Sequence, residues 1–309
     1  MLQAIAANMV EVPGGTYMMG VRPGDDKKQG HWVKVEPFLI GRYEVTQREY
    51  EAVIGKNPSF FKSDPSLPVE QVSWADAQEF IKELNASVSE EVYRLPAEAE
   101  WEYICLAASK NEYGFSKAED QLAQYAWYEA NSQGNTHLVG QLKPNPWGLY
   151  DIHGNVWEWV QDWHGDFPAG AATTPEGQTK VQFRILRGGG YDSPDGNCRS
   201  HNRRSYSPVN ARAKSVGFRL AATIPAKVIF REAVIDYPLL GEMANENGFN
   251  SLNGMEQRAL ISMIDRYAFF VAEAKYYRTE SPATSLAYSQ RADSVKKEIQ
   301  IRFGHVLNR

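Results

Sequence analysis

Side chains that could do chemistry are most concentrated in residues 191–215, which read YDSPDGNCRSHNRRSYSPVNARAKS. The segment is almost devoid of aliphatic residues and rich in Ser, Asn, Asp, Arg and Tyr. This mixture is typical of an adaptable recognition surface, because its hydroxyls, amides and guanidinium groups can form hydrogen bonds in many geometries. The candidate ligand-binding residues are Tyr191, Asp192, Ser193, Asp195, Asn197, His201, Arg203, Arg204, Tyr206, Asn210 and Arg212. A solvated loop that binds nothing is the alternative.

Thiols and imidazoles, which bind soft and borderline metal ions, are few. The chain has two cysteines, Cys105 and Cys198, and six histidines, which show no HxxxH or HxE pattern. Cys198 and His201 could together bind zinc or copper(II). Nothing in their spacing makes the two side chains converge, however, and isolated histidines usually form hydrogen bonds instead. Cys198 is therefore interpreted as structural, and as catalytic only if the protein is an enzyme.

The charge of the chain argues against a nucleic-acid partner. The 309 residues carry a formal net charge of -5, and the basic cluster that stands out is short. It consists of Arg199, Arg203, Arg204, Arg212 and Lys214. Such a cluster in an acidic chain is typical of a surface that meets an acidic protein, or of a solvated face. We expect a protein or peptide ligand, and neither nucleic acid nor membrane as a partner.

Targeting signals are not evident in the sequence. The first residues, MLQAIAANMVEVPGG, have neither a cationic region nor a long apolar core. No stretch approaches the roughly 18 apolar residues that would span a bilayer. Two cysteines cannot build a disulfide framework, which agrees with a reducing compartment. The prediction is a cytoplasmic protein.

The elements that position the polar segment can be predicted from periodicity. Residues 9–20 and 33–46 alternate apolar and polar side chains, the first around a Pro-Gly-Gly turn, which predicts strands in a hairpin-like start. Thr46 then precedes a short helix that ends near Ile54. Glu49 lies three residues after Thr46, the spacing of a capping box, in which the two residues satisfy each other's free backbone amides.

Two further helices are predicted before residue 110. Ser73 caps the first helix, with Asp76 at its third position. Its apolar stripe is formed by Ala77, Phe80, Ile81 and Leu84. The second helix covers residues 94–109, with Pro96 near its first turn, where a missing amide costs nothing. Residues 113–190 are rich in Gly, Pro, Asn and Trp with little periodicity, which predicts ordered loops and short strands.

The pattern changes after Ala222, where two amphipathic helices are predicted. The apolar stripe of the first, over residues 255–280, is Leu260, Ile264, Tyr267, Val271 and Ala274. Ser281 and Pro282 interrupt it. The looser stripe of the second, over residues 284–303, is Leu286, Ala292, Val295, Ile299 and Phe303. The chain therefore divides into a main domain, 8–223, and a helical C-terminal extension, 226–309.

Seven blocks follow one another along the chain: VPGGTYMMG at 12–20, GRYEVTQREYEAV at 41–53, PVEQVSWADAQEF at 68–80, YRLPAEAEWEY at 93–103, NPWGLYDIHGNVWEWVQDW at 145–163, LRGGGY at 186–191 and VGFRLA at 216–221. Together they resemble the formylglycine-generating enzyme family, also called the sulfatase-modifying factor domain. No single block is specific, but their order and spacing are. The resemblance implies an α+β, C-type-lectin-like fold with low regular secondary structure, to which the helical hairpin is added.

The block DIHGNVWEW, at 151–159, implies a metal site by this resemblance. In the family the matching segment binds calcium through one side chain, two backbone carbonyls and a glutamate. Carried over to this chain, the metal ligands are Asp151, Gly154, Val156 and Glu158. Hard oxygen ligands in a tight turn suit calcium, so a structural calcium ion is the predicted cofactor. The alternative is that Asp151 and Glu158 bond to local amides while Trp157 and Trp159 fill the core.

The resemblance also implies a catalytic pair of cysteines shortly after the Gly-Gly block. In the family they hold copper(I), activate oxygen and convert a cysteine of a client sulfatase to formylglycine. Counted forward from Gly188, the two positions fall on Ser193 and Cys198; counted back from Gly217, the second falls on Gly196. Either way the first thiol is missing, and copper(I) prefers two thiolates, so copper is not expected.

Three functions follow from these observations. The favoured one is a non-catalytic module that binds a protein or peptide through residues 191–215, with the helical tail as an adaptor or oligomerisation element. The first alternative is a copper- and oxygen-dependent oxidoreductase of the formylglycine-generating type, with Cys198 as its sole thiol. The second is a variable ligand-binding protein of a diversity-generating retroelement, whose diversified segment the polar stretch resembles. In those proteins that segment generally lies at the very C-terminus, whereas here the helical tail follows it.

Overall fold

Few regular elements connected by long ordered loops make up the first part of the chain, which confirms the predicted α+β class. The computed structural model describes residues 2–21, 30–88, 92–109, 111–115, 119–165 and 183–224, together with scattered positions between 252 and 303. The helices are α1 Leu2–Ala7, α2 Gln47–Ile54, α3 Trp74–Ala86 and α4 Glu98–Leu106. The strands are β1 Met9–Val12, β2 Gly15–Met19, β3 His31–Val35, β4 Phe38–Gly41, β5 Tyr93–Arg94, β6 Trp157–Trp163, β7 Phe183–Arg187, β8 Arg204–Pro208, β9 Val216–Gly217 and β10 Ala221–Thr223.

The two alternating stretches near the N-terminus do pair with each other, but in two separate sheets. β1 pairs antiparallel with β4, so that Met9 faces Gly41, and the sheet continues to β10 and β5. β2 pairs antiparallel with β3 in a sheet of its own. The split falls at the Pro-Gly-Gly turn, where Gly14 lies so close to Pro37 that a Cβ atom would clash. The hairpin-like start is confirmed, and its division into two sheets is new.

Local hydrogen bonds set the starts of α2 and α3, as predicted. Thr46 Oγ1 accepts from the amide of Glu49, whose carboxylate accepts from the amide of Thr46. Ser73 and Asp76 repeat this capping box. The predicted apolar stripe of α3 is buried throughout. Helix α1, by contrast, was not predicted.

The sheet that carries the polar segment has the strand order β8-β7-β6-β9. β6 pairs antiparallel with β7 and parallel with β9. Trp157, at the start of β6, and Trp159 are buried in the core that β6 shares with α3. The loop after β7 therefore begins beside the N-terminal end of β6, which places residues 188–204 next to the block around residue 157.

The chain divides into two compact units, Met1–Thr223 and Ile224–Arg309. In the second unit the described positions between 256 and 267 and between 289 and 303 are helical. The apolar residues buried in this unit are Ile224, Leu252, Leu260, Met263, Ile264, Tyr267, Ala292, Val295, Ile299 and Phe303. The predicted stripe positions Val271, Ala274 and Leu286 lie outside the described residues, as does the predicted break at Ser281 and Pro282. Among the described residues no helix is long and apolar enough to cross a bilayer.

Candidate functional site

An open polar depression lies where the loop after β7 meets the start of β6. Its volume is about 490 Å³. It is lined by Trp157, Asp192, Ser193, Pro194, Asn197, Asn202, Arg203 and Arg204. Five of the predicted ligand-binding residues are thus brought together on one concave surface, and Trp157, Pro194 and Asn202 join them.

Glycines shape the turn that carries this depression. Gly188 and Gly189 have positive φ, +97° and +82°, a conformation that side chains disfavour. A Cβ on Gly189 would lie 2.7 Å from Cys198 Sγ, so the backbone packs directly on the thiol. Ser193 then closes the turn, because its hydroxyl accepts a hydrogen bond from the amide of Gly190 at 3.0 Å. The backbone conformation of the turn therefore requires the glycines of the LRGGGY block.

Cys198 lies beneath the surface and does not line the depression. It is fully buried and packs with Tyr113, Leu122 and Ala126. Burial raises the pKa of its thiol to about 12, so that the thiolate needed for copper or for nucleophilic attack is scarce at neutral pH. Counted forward from Gly188, the position of the family's first thiol falls on Ser193. Among the described residues no cluster of three His, Cys, Asp or Glu side chains could hold a metal ion.

A buried ion-pair network fixes Arg203 at one wall of the depression. The guanidinium of Arg203 donates to both carboxylate oxygens of Glu98, at 2.6 and 2.9 Å. Glu98 also pairs with Arg187, which in turn pairs with Glu102 at 2.7 Å. Because Glu98 is almost fully buried, this bidentate pair orients Arg203 and neutralises most of its charge.

Arg204 and Trp157 form a part of the wall in which, unlike at Arg203, the guanidinium is exposed. The Arg204 side chain is exposed, and its Cζ lies 5.4 Å from the centroid of the Trp157 ring, within cation–π range. The Trp157 Nε1 atom is buried and has no hydrogen-bond partner among the described residues. Trp157 was predicted only to fill the core, so the sequence carried no signal for this unpaired donor.

A second, smaller depression adjoins the first at Pro194, which lines both. Its volume is about 330 Å³, and Asp195, Tyr128, Glu129 and Ala130 complete its wall. Asp195 is exposed, and the amide of Glu129 donates to the carbonyl of Ser193 at 3.0 Å, which ties the two loops together. Tyr128 and Glu129 were not predicted as site residues, because they lie far from residues 191–215 in the sequence.

Several predicted ligand-binding residues lie elsewhere. Tyr191 is only 8% exposed, its carbonyl accepts from Ser132 and its ring packs edge-on against Phe61. Arg212 donates two hydrogen bonds to Asp76 on α3, each 2.7 Å long. His201 and Asn210 line neither depression. The side chain of Tyr206 lies outside the described residues. The candidate binding surface therefore includes only part of residues 191–215, because some of these side chains are buried or already paired within the protein.

The predicted calcium ligands belong to a buried charge cluster. Glu158 accepts from the guanidinium of Arg219 through both oxygens, at 2.7 to 2.9 Å, and from Trp101 Nε1 at 2.7 Å. Asp151 accepts from the amide of Gly140 through Oδ2, whereas its Oδ1 is buried without a partner. Asp151 Oδ1 thus suits a cation, but Glu158 is already held by one. The predicted four-ligand set does not fit as a whole.

Glu44 adds a third carboxylate to this cluster, one that the sequence did not indicate. Its oxygens accept from the amide of Val156 at 3.0 Å and from the side chain of Asn155 at 2.7 Å. Burial, together with the nearby Asp151 and Glu158, raises the pKa of Glu44 well above its ordinary value. Burial also raises the pKa of Asp151. The HGNVWEW turn is thus held by a network of buried charges and hydrogen bonds.

Comparisons with known proteins agree with this geometry. Residues 3–224 match the family described as the sulfatase-modifying factor enzyme 1-like domain. The chaperone protein LppX of Paenibacillus barcinonensis is 32% identical over 61% of this chain and 80% of its own length. The formylglycine-generating enzyme of Thermomonospora curvata is 26% identical over 71% of this chain and 95% of its own.

The solved structure of Treponema denticola variable protein 1 is similar over 70% of this chain and 95% of that chain, with 30% identity and a TM-score of 0.66. This structural likeness confirms the fold that the resemblance implied, a C-type-lectin-like arrangement with little regular secondary structure. The loop after β7 and the two depressions lie within the matched region. By the match over residues 3–224, the chain belongs to the sulfatase-modifying factor enzyme 1-like family.

Proposed function

We propose that the protein is a non-catalytic binding module that recognises a protein or peptide segment in the two depressions joined at Pro194. The observation that carries the proposal is the burial of Cys198, whose thiol lies behind Gly189 with its pKa raised to about 12. By the count from Gly188, the family's first thiol position falls on Ser193, and the second falls on Cys198 or, counted back from Gly217, on Gly196. A concave polar surface without reactive thiols is suited to bind rather than to oxidise.

The charges of the two depressions support a peptide-like ligand. The larger depression has Arg204 at its wall, together with Asp192 and with Arg203, which Glu98 neutralises; the smaller has Asp195 and Glu129. A chain segment with an acidic group and a basic group a few residues apart would meet a complementary charge in each. Such complementarity sets register and excludes other partners.

The second unit has a separate proposed role, as an adaptor or oligomerisation element. Its support is the amphipathic pattern: the described stripe positions of both helical stretches are buried within a compact unit, whereas Ile301 in the second stretch is 84% exposed. A cytoplasmic location remains a proposal as well, whereas calcium is not proposed, because Arg219 already holds Glu158.

Selection from a random peptide library displayed on phage, with the full chain as bait, tests the binding function. A pocket variant reverses three exposed charges, Asp192→Lys, Asp195→Lys and Arg204→Glu. A control variant makes the same exchanges on the exposed faces of α2 and α3, Glu51→Lys, Glu83→Lys and Arg48→Glu. We expect peptides that bind the wild type and the control but lose at least about tenfold in affinity for the pocket variant. Peptides that bind all three proteins equally, or no selected peptide, would refute the proposal.

A catalytic alternative has the similarity to the Thermomonospora curvata enzyme in its favour. It requires copper(I), which Cys198 would have to hold as the sole thiol of the site. Titration of the reduced protein with copper(I), beside Cys198→Ala, separates the two functions. Tight one-to-one binding that Cys198→Ala abolishes would support the oxidoreductase and contradict the binding module.

A third candidate is a variable ligand-binding protein of a diversity-generating retroelement. The similarity to Treponema denticola variable protein 1 and the composition of residues 191–215 favour it. It uses the same surface as the proposed module and differs in one respect, that the residues lining the depressions should vary between copies of the gene. Sequencing this region from many isolates of one source population tells the two apart.

A further inference from the structure

We infer that the larger depression binds a carboxylate of the peptide ligand between Trp157 Nε1 and the guanidinium of Arg204. This inference rests on the proposed binding function and names the chemical group that the depression recognises. Two observations carry it: a buried hydrogen-bond donor without an acceptor, and an exposed cation held over the same ring.

The indole N–H of Trp157 is the first observation. Trp157 is 1% exposed and lines the depression, while its Nε1 has no partner among the described residues. The two neighbouring buried tryptophans are satisfied, Trp159 by the carbonyl of Val72 and Trp101 by Glu158. Buried donors in folded proteins nearly always have an acceptor, so an orphaned N–H in the wall of an open depression indicates where a ligand supplies one.

Arg204 is the second observation. It has no acidic partner among the described residues, in contrast to Arg203, which both oxygens of Glu98 hold. Its Cζ lies 5.4 Å from the Trp157 ring, so the guanidinium and the indole share one side of the depression. An unpaired donor on this ring and an uncompensated cation over it can each bond to one oxygen of a carboxylate.

The remaining lining residues restrict where the carboxylate can lie. Asn202 Nδ2 is already bonded to the carbonyl of Gly196 and to Asn197 Oδ1. Asp192 is exposed on the same depression and repels an anion. The favourable position is therefore the side of Trp157 and Arg204. A single uncompensated guanidinium also suits a singly charged carboxylate better than the repeated phosphates of a nucleic acid, which a chain of net charge -5 would repel.

The test uses the peptides selected on the wild-type full chain. Each is synthesised with its acidic side chains intact and with Asp→Asn or Glu→Gln, and each with a free or an amidated C-terminus, so that side-chain and terminal carboxylates are distinguished. Dissociation constants are measured for wild type, Arg204→Gln and Trp157→Phe, with Arg48→Gln as a matched exposed-arginine control. Because Trp157→Phe could disturb the core, its thermal unfolding is recorded, and Arg204→Gln provides the independent arm.

We expect removal of one carboxylate from the peptide to weaken binding to the wild type and to Arg48→Gln by about tenfold or more. The same removal should weaken binding to Arg204→Gln by less than about twofold. In a double-mutant cycle, removing the carboxylate has little further effect once its partner, the Arg204 guanidinium, is already absent. In a ¹⁵N-labelled protein, the Trp157 indole resonance, assigned by its loss in Trp157→Phe, should move downfield with the acidic peptide and not with its amide counterpart.

Two results would overturn the inference while leaving the binding function intact. One is selected peptides that depend on the pocket charges but bind equally as acid and amide. The other is an acid-to-amide loss that persists undiminished in Arg204→Gln with the Trp157 resonance unmoved. If no selected peptide depends on the pocket at all, the binding function itself fails, and the inference with it.

Discussion

The turn at 151–158 and the loop at 188–204 both resemble functional segments, yet the structure treats their charges in opposite ways. In the first, Glu158 is bonded to Arg219 and Trp101, and all three side chains are buried. In the second, Arg204 is exposed without an acidic partner among the described residues. The two regions meet at β6, where Trp157, whose N–H has no acceptor and whose ring lies beside Arg204, directly precedes Glu158.

This contrast separates structural from binding groups. Charges that satisfy each other inside the protein are removed from water already and have no bonds left for a ligand. Donors that remain unpaired beside an open surface keep that capacity. The difference predicts that substitutions in the first region change stability, whereas those in the second change ligand binding.

The largest expected effect is on the buried pair. Arg219→Gln leaves the Glu158 carboxylate buried without its partner, which costs about 3–5 kcal/mol of unfolding free energy. Urea denaturation monitored by tryptophan fluorescence measures it. Arg204→Gln is the matched exchange in the open region and should leave the urea midpoint unchanged. Equal urea midpoints for the wild type, Arg219→Gln and Arg204→Gln would contradict the difference between the two regions.

A smaller effect is expected from Asp151→Asn, and its sign depends on pH. Burial raises the pKa of Asp151 from 3.8 to about 6, so the folded protein binds this proton more tightly than the unfolded chain. The contribution of Asp151 to the unfolding free energy is then greatest below pH 4 and is lost as the pH rises through about 6. The asparagine, which suits the positive φ of +57°, should remove that decline and raise stability at pH 7.5 by about 1–3 kcal/mol.

Thermal unfolding of wild type and Asp151→Asn between pH 4 and pH 7.5 tests this prediction. A variant that is less stable at pH 7.5 would show that the ionised carboxylate is favourable in the folded state. In that case a cation near Asp151 Oδ1 would be the physical explanation.

Arg212→Gln should have a still smaller effect. Arg212 bonds to Asp76, but half of its side chain is exposed, so solvent screens the pair. We expect a loss of at most about 0.5 kcal/mol in unfolding free energy and no change in the affinity of the selected peptides. A loss of peptide binding would extend the recognition surface to α3, contrary to the geometry of the two depressions.

The smallest expected effect is that of calcium. Because Arg219 holds Glu158, calcium should not shift the thermal midpoint relative to the protein with a chelator. A midpoint that rises with calcium concentration, and rises less in Asp151→Asn, would instead support the calcium site that the family resemblance implies. Magnesium at the same ionic strength is the control.

Local features were predictable from the sequence. The two capping boxes at Thr46 and Ser73 form as their spacing predicts, because a cap depends on residues three positions apart. The apolar stripe of α3 is buried for the same reason. The candidate site was predicted only in part: the segment was found, but Trp157, Asn202, Tyr128 and Glu129 were missed.

The sequence alone determined the family, the elements with strong caps and the loop that carries the polar side chains. Only the tertiary structure decided which of those side chains are free, because each pairing joins distant parts of the chain. Arg203 meets Glu98 across 105 positions, Arg212 meets Asp76 across 136, and Arg219 meets Glu158 across 61. The residue type alone does not distinguish these arginines from one another. Burial and the position of an opposite charge separate those that hold the fold from Arg204, which is exposed without an acidic partner among the described residues.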